Sequence, residues 1–160
     1  MAGVFTITTA QLGSVLRAES KKMRRCADTA VERASRRFQE WLRHHIDNLG
    51  ITHTGGYRDS IVVTTTSGRA TIYSDHPAAG VIEMGCGPHP VSIAGQQSIR
   101  MWCIEKLGVP EEDADRITFL ICRKIREFGQ EARYVFRDAI PMLFRFFREE
   151  FAVALKRERV

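Results

Sequence analysis

The feature that most constrains this chain is a change of apolar period at Gly50. Before it, Ala27, Val31, Ala34, Phe38, Trp41, Leu42, Ile46 and Leu49 recur at spacings of three and four. That is the stripe of one long amphipathic helix, with Thr8 or Thr9 as candidate caps and Gly50 as its stop. The stripe drifts instead of holding a seven-residue repeat, so the helix is expected to pack on its own domain and not in a long coiled coil. The segment before Met23 is more polar. Residues 1–22 therefore read as a separate turn of helix or as an arm ordered by a partner.

After Gly50 the pattern becomes that of a sheet. Ile61 to Thr66 reads IVVTTT, Ser67-Gly68 supplies a turn, and ATIYS follows from Ala70. This predicts a hairpin over 61–66 and 70–75, with Ile61, Val63 and Thr65 on one face and Val62 and Thr64 on the other. Residues 80–84, around Val81-Ile82-Glu83-Met84, read as a third strand or a turn of helix. Gly85, Gly87, Pro88 and Pro90 then predict a loop over 85–96.

Helical spacing returns at Gln96, with Ile99, Trp102, Cys103 and Leu107 on one face and Gly108 as the stop. Pro110 suits the first turn of the next helix, whose stripe is Ile117, Leu120, Ile121, Ile125 and Phe128, closed by Gly129. A last helix is predicted with Asp138 as cap and Pro141 in its first turn. Its stripe is Ile140, Leu143, Phe144, Phe147, Phe151 and Leu155. The whole reads as one α+β domain over 1–160: a long N-terminal helix, a small antiparallel β-sheet and two to three C-terminal helices.

Charge is unevenly spread. The chain carries a net charge of +5. Nine Lys or Arg face five acids between Arg17 and Asp47, and ten face six from Arg123 onward, while residues 50–110 hold four of each. A basic helical face suits nucleic acid or an acidic partner protein, although interspersed charges are most often a solvated face. No run approaches the length of a transmembrane helix, so no membrane partner is expected. The start of the chain has no secretory pattern, which points to the cytoplasm or to something assembled there.

The candidates for chemistry are weak beside their structural readings. Cys26, Cys86, Cys103 and Cys122 are scattered and read as small buried hydrophobes. Cys86 and His89 have one metal-like spacing, to which His53, His76, Cys103 or Cys122 would have to add ligands, and a zinc site normally uses two paired clusters. Cys86 near His76 and His89 could form a thiol–imidazole pair, but tight loops contain such glycines and cysteines without function. His44 and His45 suit a helix C-terminus without metal, and His45 is expected beside Trp41. Asp59, Asp75 and Glu83 show no fixed spacing, and no phosphate-loop or nucleophile-elbow motif occurs. No metal, cofactor or catalytic residue is expected.

Two residues stand out differently. Glu83 lies inside an apolar run and needs a partner, with Arg58 or Arg133 expected. Phe146 falls off the predicted face of the last helix between Arg145 and Arg148, which suits a contact between subunits.

Thr54-Gly55-Gly56-Tyr57-Arg58-Asp59-Ser60-Ile61 resembles an element of the tail-completion and neck (head–tail connector) proteins of long-tailed bacteriophages, including relatives of minor tail protein Z. The resemblance continues in Tyr73 to Gly85, like an apolar-Glu-x-Gly signature. It continues again in Ala132 to Ile140, like the entry into that family's last helix. The chain departs from the pattern at Tyr134, where proline is usual. The loop and helix from Gly85 to Gly108 are longer than in most members.

The resemblance implies a non-enzymatic virion structural protein at the head–tail junction, assembled in the host cytoplasm. It implies a homo-oligomeric ring, sixfold or twelvefold, between head-completion or connector proteins and tail-terminator or tail-tube proteins, with genomic DNA in the lumen. Tyr57, Arg58, Asp59, Glu83, Gly85, Pro88, His89, Arg133 and Phe146 are then the expected subunit-interface residues. Glu83→Ala is expected to block joining while the monomer stays folded. The alternative is a nucleic-acid-binding module that uses the basic first helix.

Overall fold

The computed structural model describes residues 5–8, 21–51 and 54–157. Strand β1 (Phe5–Thr8) precedes helix α1 (Lys21–Asn48) and a single helical turn, α2 (Gly56–Asp59). Strands β2 (Ile61–Thr66) and β3 (Arg69–Ser74) follow, then helices α3 (Ala79–Met84), α4 (Ile93–Leu107), α5 (Glu111–Phe128) and α6 (Val135–Arg157). The α+β expectation holds.

Three strands form the sheet in the order β1-β3-β2, all antiparallel. Val63 and Phe5 both register with Ile72 from opposite sides. The third strand is thus Phe5–Thr8 and not residues 80–84, which form α3. The run Ala79–Met84 is bounded by Pro77, two residues before it, and by Gly85 directly after it, and its buried residues, Ala79, Ile82 and Glu83, have helical spacing. The first helix is described from Lys21 onward. Thr8 belongs to β1, and Thr9 and the rest of the predicted arm up to Ser20 lie outside the described residues.

The core lies where α1 and α6 pack on each other and on the sheet. Ala34, Phe38, Leu42 and Ile46 meet Val135, Phe136, Ala139 and Leu143, with Tyr57, Ile61, Ile72 and Ile82 closing the cluster. The predicted stripe of α1 is buried from Ala27 to Ile46 except for the half-buried Trp41, and Leu49, just past the end of the helix, is exposed. Side chains from α1 also fasten β2, because Gln39 Nε2 and Arg43 Nη2 both donate to the Ile61 carbonyl (2.6 and 3.1 Å).

Helix α6 starts six residues before Pro141, not just before it. Pro141 lacks the N–H that would pair with the Arg137 carbonyl, yet its ring faces solvent, where water can serve that carbonyl. The inward face of α6 is Val135, Phe136, Ala139, Leu143 and Phe146, while Phe144 points outward. Phe146 is therefore core and not an exposed contact. The Arg37 guanidinium lies 4.5 Å over its ring and bonds Glu149 and Glu150 beyond it.

Candidate interface around Glu83 and the α4–α5 arm

Glu83 sits on α3, 6% exposed, beneath the first turn of α6. Its Oε2 accepts the Phe136 N–H at 2.9 Å and its Oε1 accepts the Arg137 N–H at 3.0 Å. The first N–H groups of a helix have no partner within it and carry its positive dipole end. A carboxylate there is both hydrogen-bonded and electrostatically favoured, so no arginine is required. The expected ion pair with Arg58 or Arg133 is absent. Arg58 instead bonds Asp59 (2.7 Å) and Asp47 (3.2 Å), and the exposed Arg133 donates its N–H to the Ile82 carbonyl. The Arg58 guanidinium holds the Asp59 carboxyl below its ordinary value.

Tyr57 is fully buried, edge-on to His76 with ring centroids 5.9 Å apart. Its hydroxyl has no hydrogen-bond partner among the described residues. Burial, then the nearby Glu83 charge, raise its pKa well above the usual tyrosine value. His76 Nδ1 accepts the Ala78 N–H at 3.2 Å and so holds the turn into α3. Tyr57, His76 and Glu83 converge, but Tyr57 and Glu83 are buried and lock the fold internally, and only the half-buried His76 reaches the surface.

Gly85 and Gly129 hold the next close approach. Both have φ positive with an extended ψ (φ 71 and ψ −176 at Gly85, φ 79 and ψ −161 at Gly129), a region essentially confined to glycine. Between them Cys86 and Gln130 exchange two backbone hydrogen bonds, 2.9 and 2.8 Å. A side chain on Gly85 would meet the Gln130 carbonyl, and one on Gly129 would meet the Cys86 carbonyl. The predicted loop is thus pinned to its own chain at its root, while Gly87, Pro88 and Pro90 beyond it are exposed.

His89 Nδ1 lies 3.4 Å from Cys86 Sγ and 2.9 Å from the Gly87 carbonyl. A carbonyl only accepts, so Nδ1 carries its proton and is not placed to take one from the thiol. Among the described residues no third His, Cys, Asp or Glu joins them in a metal-sized group; His53 lies outside those residues. Cys103 is buried between α4 and α5, and Cys122 is half-buried there. His45 stacks on Trp41 as expected, 4.8 Å between centroids.

Helices α4 and α5 form a hairpin arm that packs mainly on itself through Cys103, Ala114 and Thr118. Trp102 Nε1 fastens it to the body by donating to the Gly50 carbonyl at 2.9 Å. Arg100 links its two helices through Asp115 (2.7 Å) and Glu111 (3.5 Å). Large apolar residues remain outside: Ile93, Leu107, Phe119, Leu120 and Phe128 are all roughly half or more exposed. The sequence stripe of α5 was legible, but its alternative, that part of the stripe stays uncovered, was not. The available signal was that α5 has apolar residues on more than one side.

Neither a protein-family model nor a curated protein nor a solved structure matches this chain.

Proposed function

We propose that this chain is a structural protein of a long-tailed phage virion, forming a ring at the head–tail junction that joins tail to head connector and lets DNA pass. The observation that carries the proposal is the outer edge of β2. From Val62 to Thr66 it holds no charge and no proline, and its outer side has no strand partner among the described residues. Natural edge strands are normally guarded by lysine, proline or a bulge, so an unguarded edge is suited to pairing with a neighbouring copy. A heterologous contact of that kind, repeated with closure, makes a ring. The neutral hairpin supports the same reading, since interface cores are depleted in charge. The basic outer faces of α1 and α6 suit DNA in a lumen or acidic neighbouring rings.

The test is the mass of the purified protein, alone and mixed with tail tubes, with ring symmetry counted by electron microscopy. Closed sixfold or twelvefold particles that cap tails support the proposal. A chain that neither forms rings nor binds tails, but binds duplex DNA with a steep loss in salt, would instead be the nucleic-acid-binding module.

A further inference from the structure

We propose that α5 pairs with α5 of a second copy, antiparallel and about a twofold axis. The inference goes beyond the ring and stands on α5 alone. Asp113, Ile117, Leu120 and Lys124 are spaced four, three and four residues apart, the seam of a coiled coil. This seam lies beside the surface that packs on α4. Leu120 is 49% exposed, and Phe128, one turn beyond Lys124, is 74% exposed. Monomeric soluble proteins seldom leave such a helical seam open.

Charge names the occupant. From Glu111 to Thr118 the helix has four acids against Arg116, and from Phe119 to Phe128 it has Arg123, Lys124 and Arg126 against Glu127. A parallel copy would set acid on acid. An antiparallel copy sets the acidic half of each helix on the basic half of the other. In that register Asp113 faces Lys124 of the second copy, and Ile117 faces its Leu120. Each contact occurs twice, as an isologous interface requires. Asp113 also lies 3.4 Å from Arg116 of its own helix, an exposed pair that leaves the carboxylate free to bridge. Lys124 is exposed and makes no ion pair among the described residues.

The test is sedimentation of the full chain and its variants, with thermal melts as the folding control. Thr64→Lys/Thr66→Lys, which guards the β2 edge, separates the two contacts: this variant is expected to sediment as a dimer whether or not the wild type forms rings. Adding Leu120→Glu to it should give a monomer with an unchanged melt, since Leu120 is half-exposed. Asp113→Lys alone and Lys124→Asp alone should each weaken pairing about tenfold or more, and the two together should restore it. A monomeric edge-guarded variant, a dimer that survives Leu120→Glu, or a charge swap that fails to restore pairing would each overturn the inference. A wild-type chain that pairs through α5 but forms no rings would count against the ring reading alone.

Discussion

Glu83 and Phe136 are fifty-three positions apart, and the carboxylate of the first accepts the backbone N–H of the second at 2.9 Å. This contact turns an isolated acid in an apolar run into the N-terminal cap of α6. It joins α3 to the helix that forms half of the α1–α6 core. Capping is usually local, from a side chain three residues away or fewer. Here Tyr134 precedes the helix in a left-handed conformation (φ 50), with its ring 3.3 Å from the Arg137 guanidinium, and the cap is delivered from another element.

Glu83→Ala is therefore expected to act on folding, and any defect in assembly follows from that. One buried N–H and one part-buried N–H lose their acceptor, which costs about 2–4 kcal/mol. In a chain of this size that lowers the melting temperature by about 5–15 °C. Glu83→Gln keeps the shape but not the charge and should fall between Glu83→Ala and wild type. Calorimetry of the three proteins checks the order. A wild-type melt for Glu83→Ala would refute the capping role.

Gly85 and Gly129 should be intolerant of alanine, and Gly108 should be tolerant. The first two combine a glycine-only conformation with a carbonyl or peptide in the space of a Cβ, whereas Gly108 (φ 65) has nothing within 4 Å of that position. Gly85→Ala and Gly129→Ala are each expected to cost about 2–4 kcal/mol. Gly108→Ala should cost about 1 kcal/mol, the strain of the left-handed conformation alone. Urea unfolding of the three variants separates the two classes. Equal losses would mean that conformation, and not the close approach of the two loops, sets the requirement.

The α1 stripe, the hairpin and the stops at Gly108 and Gly129 were legible because each depends on local periodicity or on one residue's backbone freedom. The start of α6 was not, since its cap comes from fifty-three residues upstream and no local signal at Val135 announces it. Phe146 was misplaced because α6 is apolar on more than one side, and only the packing of α1 selects the face with Leu143 and Phe146 over the one with Phe144. Position 80–84 was ambiguous because four apolar-flanked residues fit either period. Of the expected interface residues, Tyr57, Glu83 and Phe146 are buried. Pro88 and Arg133 are exposed, and Arg58 is tied to both Asp59 and Asp47.

Tyr57 should make the protein sensitive to alkali. Its buried phenol, near the Glu83 carboxylate, resists ionisation, while in the unfolded chain it ionises near pH 10. The sign follows: the folded state holds the proton longer, so stability is full below about pH 10 and declines above it. Tyr57→Phe removes this titration and also the unpartnered hydroxyl, so at neutral pH it should be neutral or slightly stabilising. Melting curves between about pH 8 and about pH 11 should show a flatter alkaline limb for the variant than for wild type. An identical slope would place the alkaline sensitivity on another group.

The clamp on Phe146 should fail toward acid. Arg37 spans α1 and α6, with Nη1 2.8 Å from Glu150 and Nη2 3.0 Å from Glu149, and it remains charged throughout. Hydrogen bonding from Arg145 first, and then from Arg37, holds the Glu149 carboxyl below its ordinary value. A lowered carboxylate contributes stability above its unfolded value, and that contribution is lost as the pH falls through the folded one. The loss should therefore appear below about pH 4.3, the ordinary glutamate value, and added salt should shrink it, because these side chains are largely solvated. Glu149→Gln should flatten the acid limb by lowering the neutral melt slightly, by the small contribution that wild type loses in acid. Arg37→Lys should lower the neutral melt more than Glu149→Gln does. A lysine keeps the charge but loses both the fork that reaches two carboxylates and the flat face that covers Phe146.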